Sequence, residues 1–154
     1  TLFAREYKVA AIVFKQLNGG AATESHTYQA PTQMKSRSET WLVKPSMLIA
    51  ELDKLSKSPN YEVIKHYSWG QESLPLSQSA SMSFYEPELR GWIKIYANDL
   101  LFVNIDLDVN GFRMREKRRI KLDEKHFFDH PKFGVLIQVS RLESVEPPAP
   151  LPSN

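Results

Sequence analysis

The sequence predicts an α+β fold, in which a mostly antiparallel sheet of about six strands packs against one helix as a two-layer sandwich. The ferredoxin-like arrangement is one such sandwich. Three observations lead to this prediction. Apolar runs of strand length lie near both ends of the chain, leucines recur at helical spacing after residue 47, and an Asn-Gly pair separates two segments that alternate as strands do.

The first predicted element is a strand at residues 7–14, YKVAAIVF. Its near-continuous apolar character is typical of a central strand that is covered on both faces. Residues 17–44 then lose all periodicity and are rich in Gly, Ala, Ser, Thr and Gln. A loop of this length is unusual inside a compact domain, so it is expected to be functional or partly mobile.

The predicted helix follows, with Ser46 as its N-cap after Pro45. Leu48, Leu52 and Leu55 recur at the spacing of one helical face, which is expected to lie on the sheet. The sequence Ser-Pro-Asn at residues 58–60 ends the helix. Residues 61–71 alternate as a second strand with aromatic side chains on one side, and residues 72–90 are expected to form a polar loop.

A β-hairpin is predicted around Asn110-Gly111, because both central residues of a type I′ turn need a positive φ. A two-residue turn places Asp108 opposite Arg113 and Asp106 opposite Arg115. Each oppositely charged pair is expected to stabilise the hairpin by roughly 0.2–1 kcal/mol. The same register gives two apolar pairs, Val109 with Phe112 and Leu107 with Met114.

The strand before the hairpin is predicted at residues 91–96, joined to it by a three-residue loop at 98–100. This register sends Ile93 and Ile95 into the core. It places a second set of side chains together on the opposite face: Trp92, Lys94, Tyr96, Phe102, Asn104 and Asp106. Residues 135–139 are apolar on both faces and are expected to pair with the first strand.

The chain of 154 residues is expected to hold a single α+β domain at residues 7–143, including the long loop 17–44. Residues 1–6 are expected to be disordered or to remain from a processed signal peptide. Residues 144–154 form a proline-rich tail that is expected to be disordered.

Composition excludes several functional classes. The chain has no cysteine, so disulfides, thiol nucleophiles and cysteine zinc sites are excluded. A net charge of +2 argues against a general nucleic-acid coat. The sequence contains no run of eighteen apolar residues, so no transmembrane segment is predicted. The nucleophile-elbow, phosphate-loop and dinucleotide motifs are missing, and no cofactor is expected.

The strongest candidate binding surface is a basic strand, in which Arg113, Arg115, Lys117, Arg119 and Lys121 alternate and therefore share a face. Asp106 and Asp108 can neutralise two of these charges. The rest lie beside aromatic rings, an arrangement that suits an anionic polymer with flat sugar rings or bases. The predicted ligand-binding residues are Trp92, Tyr96, Phe102, Arg115, Lys117 and Arg119. A merely solvated strand is the alternative interpretation.

A second candidate site is the cluster of His126, Asp129 and His130. In a helix the two histidines would share one face, as the ligands of zinc helices do. Pro131 disfavours helical geometry at His130, and a third ligand and a catalytic Glu are missing. A structural corner is therefore favoured, with Phe127, Phe128 and Phe133 as core anchors and with no catalytic or metal-binding residue.

Five blocks of the chain form a recognisable arrangement: Tyr7-Lys8-Val9 with Ile12-Val13-Phe14, Tyr61-Glu62-Val63-Ile64 with His66, Trp69 and Gln71, Leu101-Phe102-Val103-Asn104-Ile105-Asp106-Leu107, Arg118-Arg119, and His126-Phe127-Phe128-Asp129-His130-Pro131 with Phe133-Gly134-Val135-Leu136. In these blocks the chain resembles the CsiV family of bacterial periplasmic peptidoglycan-binding proteins. The last block is the most specific. Where that family commonly has a histidine in the fourth strand this chain has Phe or Val, so no function is transferred to those positions.

The resemblance implies export to the periplasm of a Gram-negative bacterium and binding of peptidoglycan without catalysis. It also implies support of cell-wall synthesis and cell shape through the lipoprotein-activated penicillin-binding proteins, with a lipoprotein activator as a partner. Two alternatives from other classes remain: a metal-dependent wall hydrolase that uses His126, Asp129 and His130, and a single-strand nucleic-acid-binding module on the basic strand.

Overall fold

The computed structural model describes residues 6–18 and 39–142, which form nine strands and one helix. All of the strand pairs are antiparallel, so the prediction of a mostly antiparallel fold with one helix is confirmed. The elements are β1 (Glu6–Gln16), β2 (Trp41–Leu42), α1 (Ile49–Lys57), β3 (Tyr61–Glu72), β4 (Ser81–Tyr85), β5 (Leu89–Ala97), β6 (Leu101–Val109), β7 (Phe112–Ile120), β8 (Lys125–Asp129) and β9 (Phe133–Arg141).

The strands form two sheets rather than the one sheet of about six strands that the sequence predicts. The first sheet has the order β2-β3-β1-β9-β8, and the second has the order β4-β5-β6-β7. One apolar face of each sheet contributes to a single large core. The helix lies on the other face of the first sheet, so the described chain has three layers. A ferredoxin-like sandwich has only one sheet and is therefore not the arrangement found.

Strand β1 is the centre of the first sheet and is covered on both faces, as predicted. Val9, Ala11 and Val13 belong to the core between the sheets, whereas Ala10 and Ile12 belong to the smaller core beneath the helix. The prediction that residues 135–139 pair with the first strand is also confirmed, because β9 runs antiparallel along β1.

Helix α1 begins two residues later than predicted. Leu48, not Ser46, is the residue before its first turn, and it takes a left-handed conformation with φ of 61°. Leu48 is 3% exposed and packs against β1. The burial of Leu48, and not the hydroxyl of Ser46, therefore sets the start of the helix. The Oγ of Ser46 instead accepts a hydrogen bond from Lys8 Nζ at 3.3 Å.

The predicted registers of β5, β6 and β7 are confirmed. Ile93 lies opposite Ile105, and Leu107 lies opposite Met114. The turn residues Asn110 and Gly111 have φ of 52° and 90°, as a type I′ turn requires. At the start of β5, Gly91 has φ of 127°, and a Cβ there would overlap the carbonyl oxygen of Asp106.

Buried hydrogen bonds join the two sheets. Gln71 on β3 is buried; its side-chain oxygen accepts from Trp69 Nε1 at 2.9 Å, and its Nε2 donates to the carbonyl of Ile95 on β5 at 2.9 Å. The same carbonyl accepts from Ser79 Oγ at 2.9 Å. Because each partner is buried, this network fixes the position of one sheet on the other.

Several predictions concern segments outside the described residues. These are the N-terminal residues 1–5, most of the long loop at 17–44 and the tail from residue 143 onward. Within the predicted loop the structure describes the two-residue strand β2, which pairs with β3.

Candidate functional site

The candidate site lies on the side of the second sheet that faces away from the first sheet, here called the outer face. Its members follow from the registers of β4 to β7, in which every second residue points to the same side. They are Ser81 and Ser83 on β4, Trp92, Lys94 and Tyr96 on β5, Phe102, Asn104, Asp106 and Asp108 on β6, and Arg113, Arg115, Lys117 and Arg119 on β7.

One carboxylate of the outer face is already neutralised. Arg113 donates two hydrogen bonds to Asp106, each at 2.8 Å, and the pair raises the pKa of Arg113 above its usual value. The predicted cross-strand register is correct, but the guanidinium group reaches diagonally to Asp106. Asp108 Oδ1 accepts from the backbone N–H of Gly111 at 2.9 Å and so closes the turn.

Three cations of β7 stay exposed beyond this pair: Arg115, Lys117 and Arg119. Arg115 is 71% exposed and lies 4.0 Å from the carboxylate that Arg113 already holds. In the described part of the chain neither Lys117 nor Arg119 forms an ion pair. The three side chains therefore present a row of positive charge that the described residues leave largely uncompensated.

Two aromatic rings lie beneath this row. The rings of Tyr96 and Phe102 stack with centroids 5.3 Å apart, and Lys117 Nζ lies 5.9 Å and 6.0 Å from the two centroids. Lysine at this distance from a ring is attracted by the π electrons. The structure thus brings together Tyr96, Phe102 and Lys117 as predicted.

The aromatic residues are less accessible than the sequence analysis expected. Trp92 is 7% exposed and Tyr96 is 3% exposed, while Phe102 is half-buried. Residues 81–85 were predicted to belong to a polar loop, but they form β4. Because β4 pairs with β5, the residues of β5 occupy the interior of the sheet and not its edge. Trp92 and Tyr96 therefore support the surface from below.

Lys94 stands between Trp92 and Tyr96 on the same face of β5 and is only 2% exposed. Burial lowers its pKa from the usual value for lysine, and no ion pair with a described residue offsets this effect. Two neighbouring polar atoms, Ser81 Oγ across the strand pair and Tyr96 Oη, are buried without a hydrogen-bond partner in the described chain. Such groups cost stability, and they concentrate at functional sites.

The second candidate site, the histidine cluster, is not assembled. Its residues lie in or just after strand β8, where positions four apart are separated by roughly 13 Å. His126 Nε2 lies 3.8 Å from Glu124. His130 Nδ1 accepts from the backbone of Lys132 at 3.0 Å and its ring stacks on Phe133. Within residues 6–18 and 39–142 no three potential ligands converge on a common point.

The cluster instead forms the corner between β8 and β9. Gln16 Nε2 donates to Asp129 at 2.6 Å and to the carbonyl of His130 at 2.7 Å, which fixes the corner to the end of β1. Phe128 and Phe133 are fully buried, so they are the predicted core anchors. Phe127 is 45% exposed and stacks on Phe14, and its prediction as an anchor was wrong because it points to the opposite side of β8.

A cleft that the sequence analysis missed opens at the end of β7, beside Arg119. Its volume is about 800 Å³, and it is bounded by residues 73–78, residues 97–101 and residues 119–122 together with Tyr7. Loops form two of its walls, and loop positions cannot be derived from strand periodicity. The available signal was the polar, proline-containing sequence after residue 72.

The fold and the site together define a class: an antiparallel β-protein with an exposed cationic strand, which has the chemistry of a binding surface. The model of the family described as "Peptidoglycan-binding protein, CsiV" matches residues 111–142. This match confirms the resemblance over a short stretch that spans β7, β8 and β9 and includes all three exposed cations.

No curated protein and no solved structure matches the chain. In the part of the chain that the structure describes, the one helix is too short to cross a membrane.

Proposed function

We propose that this chain is a non-enzymatic peptidoglycan-binding protein and that the outer face is its binding surface. The observation that carries the proposal is the row of Arg115, Lys117 and Arg119. These cations are exposed on successive positions of one strand face, while the carboxylate of Asp106, 4.0 Å from Arg115, is held by Arg113. The match to the peptidoglycan-binding family supports it, because the matched residues contain this strand.

The chemistry of peptidoglycan fits such a surface. Its peptides carry carboxylates, which guanidinium groups bind through paired hydrogen bonds. Alternate residues of a strand stand roughly 7 Å apart, so the row offers repeated contacts to a polymer that is itself repetitive. Phe102 is accessible enough to contact a sugar ring. In this proposal Arg115, Lys117, Arg119 and Phe102 touch the ligand, and Trp92 and Tyr96 support them.

The proposal extends to location and partners on the strength of the family resemblance. Peptidoglycan lies in the periplasm of Gram-negative bacteria, so the chain would act there. The role is that of an adaptor that supports wall synthesis through the penicillin-binding proteins and their lipoprotein activators. This role requires no catalytic residue. On the outer face the carboxylate of Asp106 is engaged by Arg113, and that of Asp108 accepts from the backbone of Gly111.

The experiment is a pull-down with purified sacculi, comparing the parent chain with a triple variant, Arg115→Glu, Lys117→Glu and Arg119→Glu. We expect the triple variant to lose binding, because carboxylates would then face carboxylates. The matched control reverses three exposed lysines on the helix side, Lys44, Lys54 and Lys57, and changes the net charge equally. Thermal unfolding of each variant verifies folding. Parent-like binding by the folded outer-face variant would show that this face is not the site.

A further inference from the structure

The cleft beside Arg119 is a bounded site at one end of the second sheet. Its volume of about 800 Å³ falls within the range of small-molecule and short-peptide sites, roughly 300–1,000 Å³. Its apolar lining includes Leu74, Leu101, Ile120 and Leu122. The cleft begins where the row of cations on β7 ends, so a ligand on the outer face could extend directly into it.

The walls of the cleft are held in place by hydrogen bonds of the described chain. The backbone N–H of Ala97 donates to the carbonyl of Leu74 at 2.9 Å, which joins the two loop walls. Asn98 N donates to Leu100 O at 3.1 Å within the second loop, and Ser79 N donates to Pro75 O at 2.9 Å within the first. A preformed site loses less conformational entropy when it binds.

Charges of opposite sign line this cleft without neutralising each other. Arg119 and Lys121 lie at the end of β7, and Asp99 lies in the loop between β5 and β6. All three are exposed, and none of them forms an ion pair with another described residue. The cleft thus offers positive groups, a carboxylate and an apolar lining to one ligand.

We infer that this cleft binds the short peptide of peptidoglycan, a ligand with a free carboxylate, a free amine and small aliphatic side chains. Arg119 and Lys121 receive the carboxylate, Asp99 receives the amine, and the aliphatic groups lie on Leu74 and Leu101. The glycan then continues along the outer face. The inference rests on the proposed function and adds which part of the polymer is recognised, and where.

The test separates the two parts of the polymer. Amidase digestion of sacculi yields free stem peptides and peptide-free glycan, and each is titrated into isotopically labelled protein while amide signals are followed by NMR. We expect the peptides to shift the signals of residues 97–101 and 119–122, and the glycan to shift those of the outer face. Asp99→Asn and Lys121→Gln should each weaken peptide binding about tenfold, as loss of a charge-assisted hydrogen bond does.

Asp53→Asn and Lys44→Gln are the matched controls, since they remove the same charges on the helix side, and they should leave the peptide affinity unchanged. Parent-like peptide affinity in both cleft variants, or peptide shifts confined to the outer face, would overturn the inference. Sacculus binding that still depends on Arg115 and Lys117 would in that case leave the proposed function standing. Failure of the parent chain itself to bind sacculi would instead refute the proposed function.

Discussion

Replacing Lys94 with Met should make the protein more stable. Lys94 is 2% exposed, and in the described chain no carboxylate pairs with its ammonium group. Methionine has a similar length and carries no charge to desolvate. Burial penalises the charged form of Lys94, and removing this penalty should raise the free energy of unfolding by about 1–3 kcal/mol. For a domain of this size the melting temperature should rise by about 4 °C per kcal/mol.

The pH dependence of the stability difference between the Met variant and the parent provides a check on this prediction. Burial lowers the pKa of Lys94 in the folded state below the unfolded value of 10.5. Below the folded pKa both states are protonated, so the folded state carries the full cost of the buried charge. As the pH rises through the folded pKa the charge is lost, and the difference between the Met variant and the parent should shrink.

The assay is thermal unfolding of the parent and the Lys94→Met variant at pH 7 and at pH 10. Lys117→Met is the matched control, because Lys117 is exposed on the same sheet face and its replacement should change stability by no more than about 0.5 kcal/mol. A melting temperature equal to or below that of the parent would refute the reasoning, since the ammonium group would then be compensated in solution.

The remaining predictions concern the cores. Gln71→Leu leaves Trp69 Nε1 without its acceptor and should lower the free energy of unfolding, measured by urea titration, by about 1–3 kcal/mol. The control Gln138→Leu changes a less buried position and should lower it by less than about 0.5 kcal/mol. Burial lowers the pKa of His66 below 6.5, so the unfolded chain takes up a proton first and stability should fall as the pH drops below about 6.5. His66→Phe should lose this part of the slope between pH 7.5 and pH 5, and equal slopes would contradict the assignment.

Local rules predicted the hairpin geometry well. Asn110-Gly111 accepts positive φ at both positions, and a two-residue turn leaves one register in which the charges and the apolar side chains both match. The same reasoning predicted the register of β5 against β6, since a three-residue loop again allows few registers. The placement of Arg115, Lys117 and Arg119 on one face was therefore predictable from alternation alone.

Long-range packing was not predictable in this way. Ser81–Tyr85 alternates Met82 and Phe84 with polar residues, but it follows a serine- and proline-rich stretch that favours a loop. Trp92 and Tyr96 were expected on an open sheet face, but they are 7% and 3% exposed. The division into two sheets depends on which apolar faces meet, and alternation gives the faces of each strand but not their partners.

The position of β7 at the end of its sheet has a consequence for solubility. In the described sheet one side of β7 has no neighbouring strand, and such an edge can pair with the edge of another molecule. Charged side chains at Arg115, Lys117 and Arg119 oppose such pairing, because two copies brought edge to edge would place like charges together. The residues proposed to hold the polymer thereby also protect the chain from aggregation.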